Sequence, residues 1–242
     1  MKMTGNTILI TGGGSGIGGG LAKAFHSLGS RVIVAGRRRE VLEKTGLNFA
    51  VLDTRDRSSI ESAASEVTQK FPELNVVINN AGVQRRHDFS TPVDEAAIGE
   101  EIQTNIIGVI GMTAAFLPHL KGRPSTIINI SSGLAFVPMA RYPVYCATKA
   151  FVHSFTTSLR HQLRNTSVRV IELAPPWVAT DLGAGHTTTE QGRAPMALDA
   201  FIDAAMKDLA SGVEELPVAG ARYLHSAGVG KEVRSAFEQM NS

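Results

Sequence analysis

Tyr145 and Lys149 stand four residues apart in Tyr145-Cys146-Ala147-Thr148-Lys149. On a helix that spacing puts a phenol and an ammonium on one face. A nearby cation favours the phenolate and draws the tyrosine pKa down from about 10. Such a tyrosine is a usable general acid or base. The same spacing also fits an ordinary half-buried helix face, so its company decides. Ser132 precedes Tyr145 by 13 residues and closes one apolar run, Asn79-Asn80-Ala81-Gly82 closes another, and Asn105 falls in a long helical segment. All sit where strands end or where helices border that end, and ligands bind there in open α/β sheets.

A second chemistry lies near the N-terminus, in Thr11-Gly12-Gly13-Gly14-Ser15-Gly16-Ile17-Gly18. It follows a strand-like run and opens a helical one. There, glycines let backbone approach a pyrophosphate, and free helix N–H groups meet its charge. Gly12, Gly14, Ser15, Gly16, Ile17 and Gly18 are the expected contacts. Two registers fit, since Gly14-x-Gly16-x-x-Gly19 also has the spacing; Gly12, Gly16 and Gly18 are preferred because Ile17 then opens the apolar face. An acid about 20 residues on would favour NAD. The position holds Gly36 instead, followed by Arg37-Arg38-Arg39. Guanidinium groups grip phosphate, so Arg37, with Arg38 second, is expected to hold the 2′-phosphate of NADP.

These residues need a scaffold, and the rhythm of the chain supplies one. Strands are expected at 7–11, 31–35, 48–53, 75–79, 126–130 and 168–173, with a possible edge strand at 215–218 carrying Pro217. Helices are expected from Ile17 to Leu28 and at about 58–70, 95–117, 143–164 and 197–210. Continuous apolar strands alternating with helices imply a parallel sheet covered on both faces. The expectation is therefore a single α/β domain over residues 1–242, a Rossmann-type doubly wound sheet of six to seven strands.

Composition excludes other classes. The 242 residues are 43% hydrophobic, too apolar for a disordered chain. Twenty-four basic against 22 acidic residues give +2, no sign of a nucleic-acid partner. No apolar run reaches the roughly 20 residues of a membrane span. One cysteine, Cys146, allows no intrachain disulfide. No signal sequence is legible, so a cytoplasmic protein is expected. His87, His153 and His186 show no metal-like spacing, and no metal is assigned.

With these motifs in order, the chain resembles the short-chain dehydrogenase/reductase superfamily in its small form, over about residues 4–182. The carriers are TGGGSGIG at 11–18, Asp53 after the third strand, NNAG at 79–82, Asn105, Ser132 and the YxxxK of Tyr145 and Lys149. VAGRRRE, with PPWVATDL, is also similar to a bacterial branch labelled DltE-like oxidoreductases. The resemblance implies that Tyr145 exchanges a proton with the substrate oxygen and that Ser132 hydrogen-bonds it. Lys149 would bind the nicotinamide ribose and depress the Tyr145 pKa, and Asn105 would help hold a relay water. Asp53 would reach the adenine amino group. Asn79, Ala81 and Gly82 would support the adenosine side and the central strand. Pro175, Val178 and Thr180 would border the nicotinamide, Thr180 at the carboxamide. Many relatives carry Pro-Gly where this chain has Pro175-Pro176, which removes a backbone N–H.

The substrate side is less legible. Leu134, Phe136 and Trp177 are expected to wall an apolar pocket. Arg85, Arg86 and Arg141 are candidates for an acidic group, or solvated surface. Gly183–Pro195 is a candidate lid. The leading expectation is an NADP-dependent carbonyl reductase of small or medium organic carbonyls. The alternatives are a 3-oxoacyl-thioester reductase and a catalytically idle NADP-binding sensor. By the resemblance, the chain forms a homodimer or homotetramer through the helices at 95–117 and 143–164.

Overall fold

The computed structural model describes residues 1–183, 194–228 and 239. The strands are β1 (Thr7–Thr11), β2 (Arg31–Gly36), β3 (Asn48–Val51), β4 (Val76–Asn79), β5 (Ser125–Ile130), β6 (Val168–Ala174) and β7 (Glu215–Pro217). The helices are α1 (Gly16–Ser27), α2 (Arg39–Glu43), α3 (Arg57–Lys70), α4 (Glu95–Ile102), α5 (Gly108–Leu120), α6 (Pro143–Leu163), α7 (Leu198–Ala210) and α8 (Ala221–Gly228). The strands form one sheet in the order β3-β2-β1-β4-β5-β6-β7. Every pairing is parallel. This is the Rossmann-type doubly wound sheet.

The strands are buried on both faces, so alternation shows only in which core each residue joins. Ile8 and Ile10 pack with Leu21 and Phe25 of α1 and Phe201 of α7. Leu9 points the other way, to Phe116 of α5, Val67 of α3 and Leu159 of α6. β7 is short and sits at the edge beside β6, which tolerates Pro217. Asp56 caps α3 by accepting from the Ser58 N–H at 2.9 Å.

One helix is not continuous. The expected helix at 95–117 comprises α4 and α5 joined by a π-helical turn, Gln103–Ile107, with Asn105 inside it. Such turns recur at functional sites because they displace a side chain from the helical register.

One row of the sheet is polar. The register aligns Asn79 with Asn129, Asn129 with Glu172, and Glu172 with Glu215. In-register neighbours project to the same face. Asn79 Nδ2 donates to Asn129 Oδ1 at 2.8 Å, and Asn129 Nδ2 donates to Thr156 of α6 at 2.9 Å.

The sheet reverses its strand order between β1 and β4, and the glycine turn lies at that switch point. Gly12 has φ +65°, a conformation costly for other residues. A Cβ on Gly18 would lie 2.4 Å from the Gly12 carbonyl oxygen, whereas one on Gly19 would meet nothing closer than 3.5 Å. The structure therefore selects the Gly12, Gly16, Gly18 register. Gly18→Ala should lower the melting temperature, while Gly19→Ala should raise stability by roughly 0.5–1 kcal/mol, as for an unobstructed helical glycine. Thermal unfolding of both variants checks this.

Candidate active site

Two cavities open along the carboxyl ends of the strands, of about 660 and 220 Å³. Both are lined by Gly12, Ser15, Ala81 and Gly82, so they meet over the glycine turn. Ser15 makes no side-chain cap on α1, whose first N–H groups face this junction. Gly16 and Ile17 line the larger cavity and Gly14 the smaller. Gly18 lines neither; it lets α1 pack on the turn. Thr11 and Asn80 tie the turn to the end of β4. Thr11 Oγ1 accepts from the N–H groups of Asn80 and Ala81 at 3.0 Å, and Asn80 Nδ2 donates to the Thr11 carbonyl at 2.9 Å.

Asn79 serves the central strand, as the resemblance implies, but not the adenosine side: its side chain points to Asn129 of β5 and Thr113 of α5. Asn80, one residue on, faces the cavity. Successive strand residues face opposite ways, so the choice depends on where β4 stops.

The smaller cavity is lined by Gly36, Arg37, Arg38, Asp53 and Arg55. Arg37 lies 3.7 Å from the Glu100 carboxylate and stays half exposed. Both carboxylate oxygens of Asp53 are engaged by the Arg55 guanidinium, at 2.7–3.2 Å. That guanidinium holds the Asp53 carboxyl below the usual carboxylate range. Asp53, which the resemblance places at the adenine amino group, lines this cavity and also ion-pairs with Arg55. Arg55 is therefore a third guanidinium at this cavity, missed because it reads in sequence as a turn residue.

The larger cavity holds the acid–base group. Ser132 closes β5 and caps the short turn Gly133–Ala135 by accepting from the Leu134 N–H at 3.1 Å. It lines the larger cavity together with Tyr145. Tyr145 and Lys149 lie one turn apart on α6, both buried. Burial pushes the Tyr145 phenol above its ordinary value, and the Ser132 hydrogen bond opposes that. The Lys149 ammonium donates to the Ile130 carbonyl at 2.8 Å. Burial pulls its pKa down to about 8, with the Glu172 charge opposing. Lys149 is not among the groups that lower the Tyr145 pKa here.

Asn105 is buried beside them, but its polar atoms are bound by protein. Its Nδ2 donates to the Val83 carbonyl at 2.8 Å and to Thr148 Oγ1 at 3.0 Å, and its Oδ1 accepts from the Val83 N–H at 2.9 Å. It clamps the π turn, the loop after β4 and α6 together. These bonds give its side chain a positioning role.

Leu134, Trp177, Pro175, Val178 and Thr180 line the larger cavity. The Thr180 side chain lies against Gly16. The Pro175 carbonyl accepts from the Gly133 N–H at 2.8 Å, and Val178 bridges to Met196. Phe136 is a correction: its ring turns away and packs edge-on against His153 and His225, at 5.0 and 4.8 Å. Met139, Tyr142, Tyr223 and Leu224 line the cavity instead. Arg141 and Gln84 also line it, whereas Arg85 pairs with Glu100. Arg86 contacts the Tyr142 hydroxyl at 3.2 Å. Of the lid candidate, residues 184–193 lie outside the described residues.

A nicotinamide dinucleotide fits this arrangement. The glycine turn leaves room where side chains would intrude, and the two cavities give one path from Arg37 to Tyr145. The comparisons agree. The short chain dehydrogenase family model matches residues 6–191. An uncharacterized oxidoreductase, DltE, of Bacillus subtilis (strain 168) is 40% identical, over 100% of this chain and 99% of its own. A crystal structure of a short chain dehydrogenase from Burkholderia cenocepacia J2315 in complex with NADP has a TM-score of 0.88 at 26% identity, over the whole of both chains. A 3-ketoacyl-(acyl-carrier-protein) reductase from Brucella melitensis, complexed with NADH, has a TM-score of 0.79 at 27% identity, over 89% of this chain and 97% of that one. A family match over more than half the chain, meeting a site built for the same chemistry, places this protein in the short-chain dehydrogenase/reductase family, as an oxidoreductase that uses a nicotinamide cofactor.

Proposed function

We propose that the chain is an NADP(H)-dependent reductase of small or medium organic carbonyls. The observation that carries this is the buried Ser132–Tyr145–Lys149 group at the floor of a largely apolar cavity, continuous with an arginine-lined one. The bound nicotinamide supplies or accepts the hydride. The chain's residues do the rest. Ser132 hydrogen-bonds the carbonyl oxygen and holds it at the Tyr145 hydroxyl. Tyr145 donates its proton to that oxygen as the carbonyl becomes an alcohol, and takes it back in the oxidative direction. A phenol is protonated at neutral pH and so has the proton to donate. Lys149 stands beneath as the cation that steadies the phenolate left behind. Leu134 and Trp177 exclude water and orient the substrate. Arg37 and Arg38 favour a cofactor carrying a 2′-phosphate. The catalytically idle sensor is disfavoured because all four groups, Asn105 included, are held in register. A 3-oxoacyl-thioester substrate is an outcome of the assay below.

Oligomer formation belongs to the same reading. Ile102, Ile107 and Ile110 are 38%, 45% and 37% exposed along α4, the π turn and α5. Phe151 and Phe155 stack on α6, with ring planes at 10°. Together they supply an apolar face for a second copy, giving a homodimer or homotetramer. No helix among the described residues is long and apolar enough to cross a membrane. A cytoplasmic site of action agrees with the lone, buried Cys146.

Three outcomes test the proposal. NADPH oxidation over a panel of aldehydes, ketones, diketones and oxo-thioesters should fall by roughly 10²–10⁴-fold in Tyr145→Phe, with NADPH still bound. Arg37→Ala should weaken NADPH binding by about tenfold or more and leave NADH binding unchanged, as expected for one lost charged hydrogen bond; equal wild-type affinity for NADH and NADPH would contradict the cofactor assignment. Lys149 is the site group that titrates near neutrality. Below about pH 8 it is charged, so reduction should hold there and decline above as the ammonium is lost. Lys149→Arg, which keeps the charge, should flatten the decline in a pH profile of kcat/KM.

A further inference from the structure

Behind the catalytic helix, outside the lining of the larger cavity, four elements converge on a cluster of which only Glu172, through its charge on Lys149, bears on the acid–base group. His153 comes from α6, Glu172 from β6, Glu215 from β7 and His225 from α8. His153 Nδ1 lies 2.8 Å from Glu172 Oε2. His225 Nε2 lies 2.5 Å from Glu215 Oε1. One potential ligand atom each from His153, Glu172 and Glu215 fall within 4.8 Å of one another. Phe136 packs edge-on against both imidazoles and supplies an apolar wall.

Glu172 makes this more than a pair of hydrogen-bonded histidines. It has no solvent exposure, and its Oε1 has no hydrogen-bond partner. A buried carboxylate oxygen without a partner costs several kcal/mol in principle. Glu215 stands directly beside it in register, so two carboxylates face the same side of adjacent strands. Like charges placed so destabilise a sheet. The neighbouring cations resolve this in part: Lys149 and His153, whose pKa Glu172 raises, lend charge to Glu172, yet no group bonds its Oε1. Arg160 directs its guanidinium to the Val170 and Glu214 carbonyls and to the Glu214 carboxylate. The Lys149 ammonium is hydrogen-bonded to Ile130.

We propose that His153, Glu172 and Glu215 form a site for one divalent transition-metal ion, zinc by preference, with His225 orienting Glu215 from behind. Imidazole with two carboxylates is a nitrogen–oxygen set that suits zinc better than magnesium, which prefers oxygen alone. Bonds of about 2.1 Å place tetrahedral ligands about 3.4 Å apart, within reach of small side-chain adjustments. A fourth position is left for water. The His225–Glu215 contact is the outer hydrogen bond that typically holds a ligating group in place. The partly exposed His153 and Glu215 side chains, 29% and 33%, give the ion a path in. Bound there, the ion satisfies Glu172 and joins the edge strand and α8 to the catalytic helix.

The test uses untagged full-length protein stripped with chelator, then dialysed against zinc chloride, with magnesium chloride in parallel. Bound metal is read by elemental analysis, and thermal unfolding is followed with and without zinc. Expected is one zinc per chain, bound at least tenfold more tightly than magnesium, with a rise in melting temperature. His153→Gln and Glu215→Gln, both at partly exposed positions and checked for folding by circular dichroism, should each weaken zinc binding tenfold or more. Less than half an equivalent of zinc at saturation, or variants that bind within tenfold of wild type, would overturn the proposal. None of these readouts depends on turnover, so they stand apart from the reductase assignment.

Discussion

The structure turns on keeping one ammonium dry. Lys149 is buried beside Tyr145 and bonded to the last carbonyl of β5. Water would hold that charge at far less cost. The protein supplies instead a fixed carbonyl and the field of Glu172, and the lysine pKa still falls to about 8. A lysine poised there can lend charge to a phenolate or give up its own proton near neutral pH. That requires α6 to meet the ends of β5 and β6 in one geometry, and much of the surrounding polar network serves to hold it. Asn105 bonds to Thr148, the residue before Lys149, and to the backbone of Val83. The π turn brings Asn105 into reach. Asn129 and Thr156 fasten the middle of α6 to the sheet.

The cofactor trough depends on a different economy, that of close backbone approach. Gly18 can sit against the Gly12 carbonyl only because it has no side chain. That contact seats the first turn of α1 on the end of β1, and the helix N-terminus then faces the junction of the two cavities. Thr11 and Asn80 lock the turn to β4. Arg37 and Arg38 stand at one end of this path, and the acid–base pair stands at the other.

Much of this is legible in the residue order because it is local. The strands are short β-branched runs, the glycine turn is contiguous, and Tyr145 and Lys149 are one helical turn apart. What is not legible depends on where an element ends or on what comes together from afar. Asn79 and Asn80 exchange roles because β4 stops between them. Phe136 looks like a pocket residue in a pocket segment, yet the turn after Ser132 rotates it toward two histidines. The helix at 95–117 reads as continuous because its apolar spacing passes through the π turn. The bidentate pairing of Asp53 with Arg55 has no signature in the residue order. The burial of Glu172 in VRVIEL follows from the cover of α6 and the pairing with β7, which lies far off in the chain. His153 and Glu215 are 62 residues apart in number and adjacent in space.

The central claim is that the residues around Tyr145 position a carbonyl to receive a hydride from the nicotinamide. The most direct measurement is isotope transfer. NADPH carrying deuterium at one or the other face of nicotinamide C4 would be used to reduce the best carbonyl of the panel, and the product examined by NMR and mass spectrometry. One of the two isotopomers should place a single deuterium on the new carbinol carbon, with the hydroxyl proton drawn from water. A product without cofactor deuterium from either isotopomer, or no reduction of any carbonyl by a protein that binds NADPH, would contradict the account.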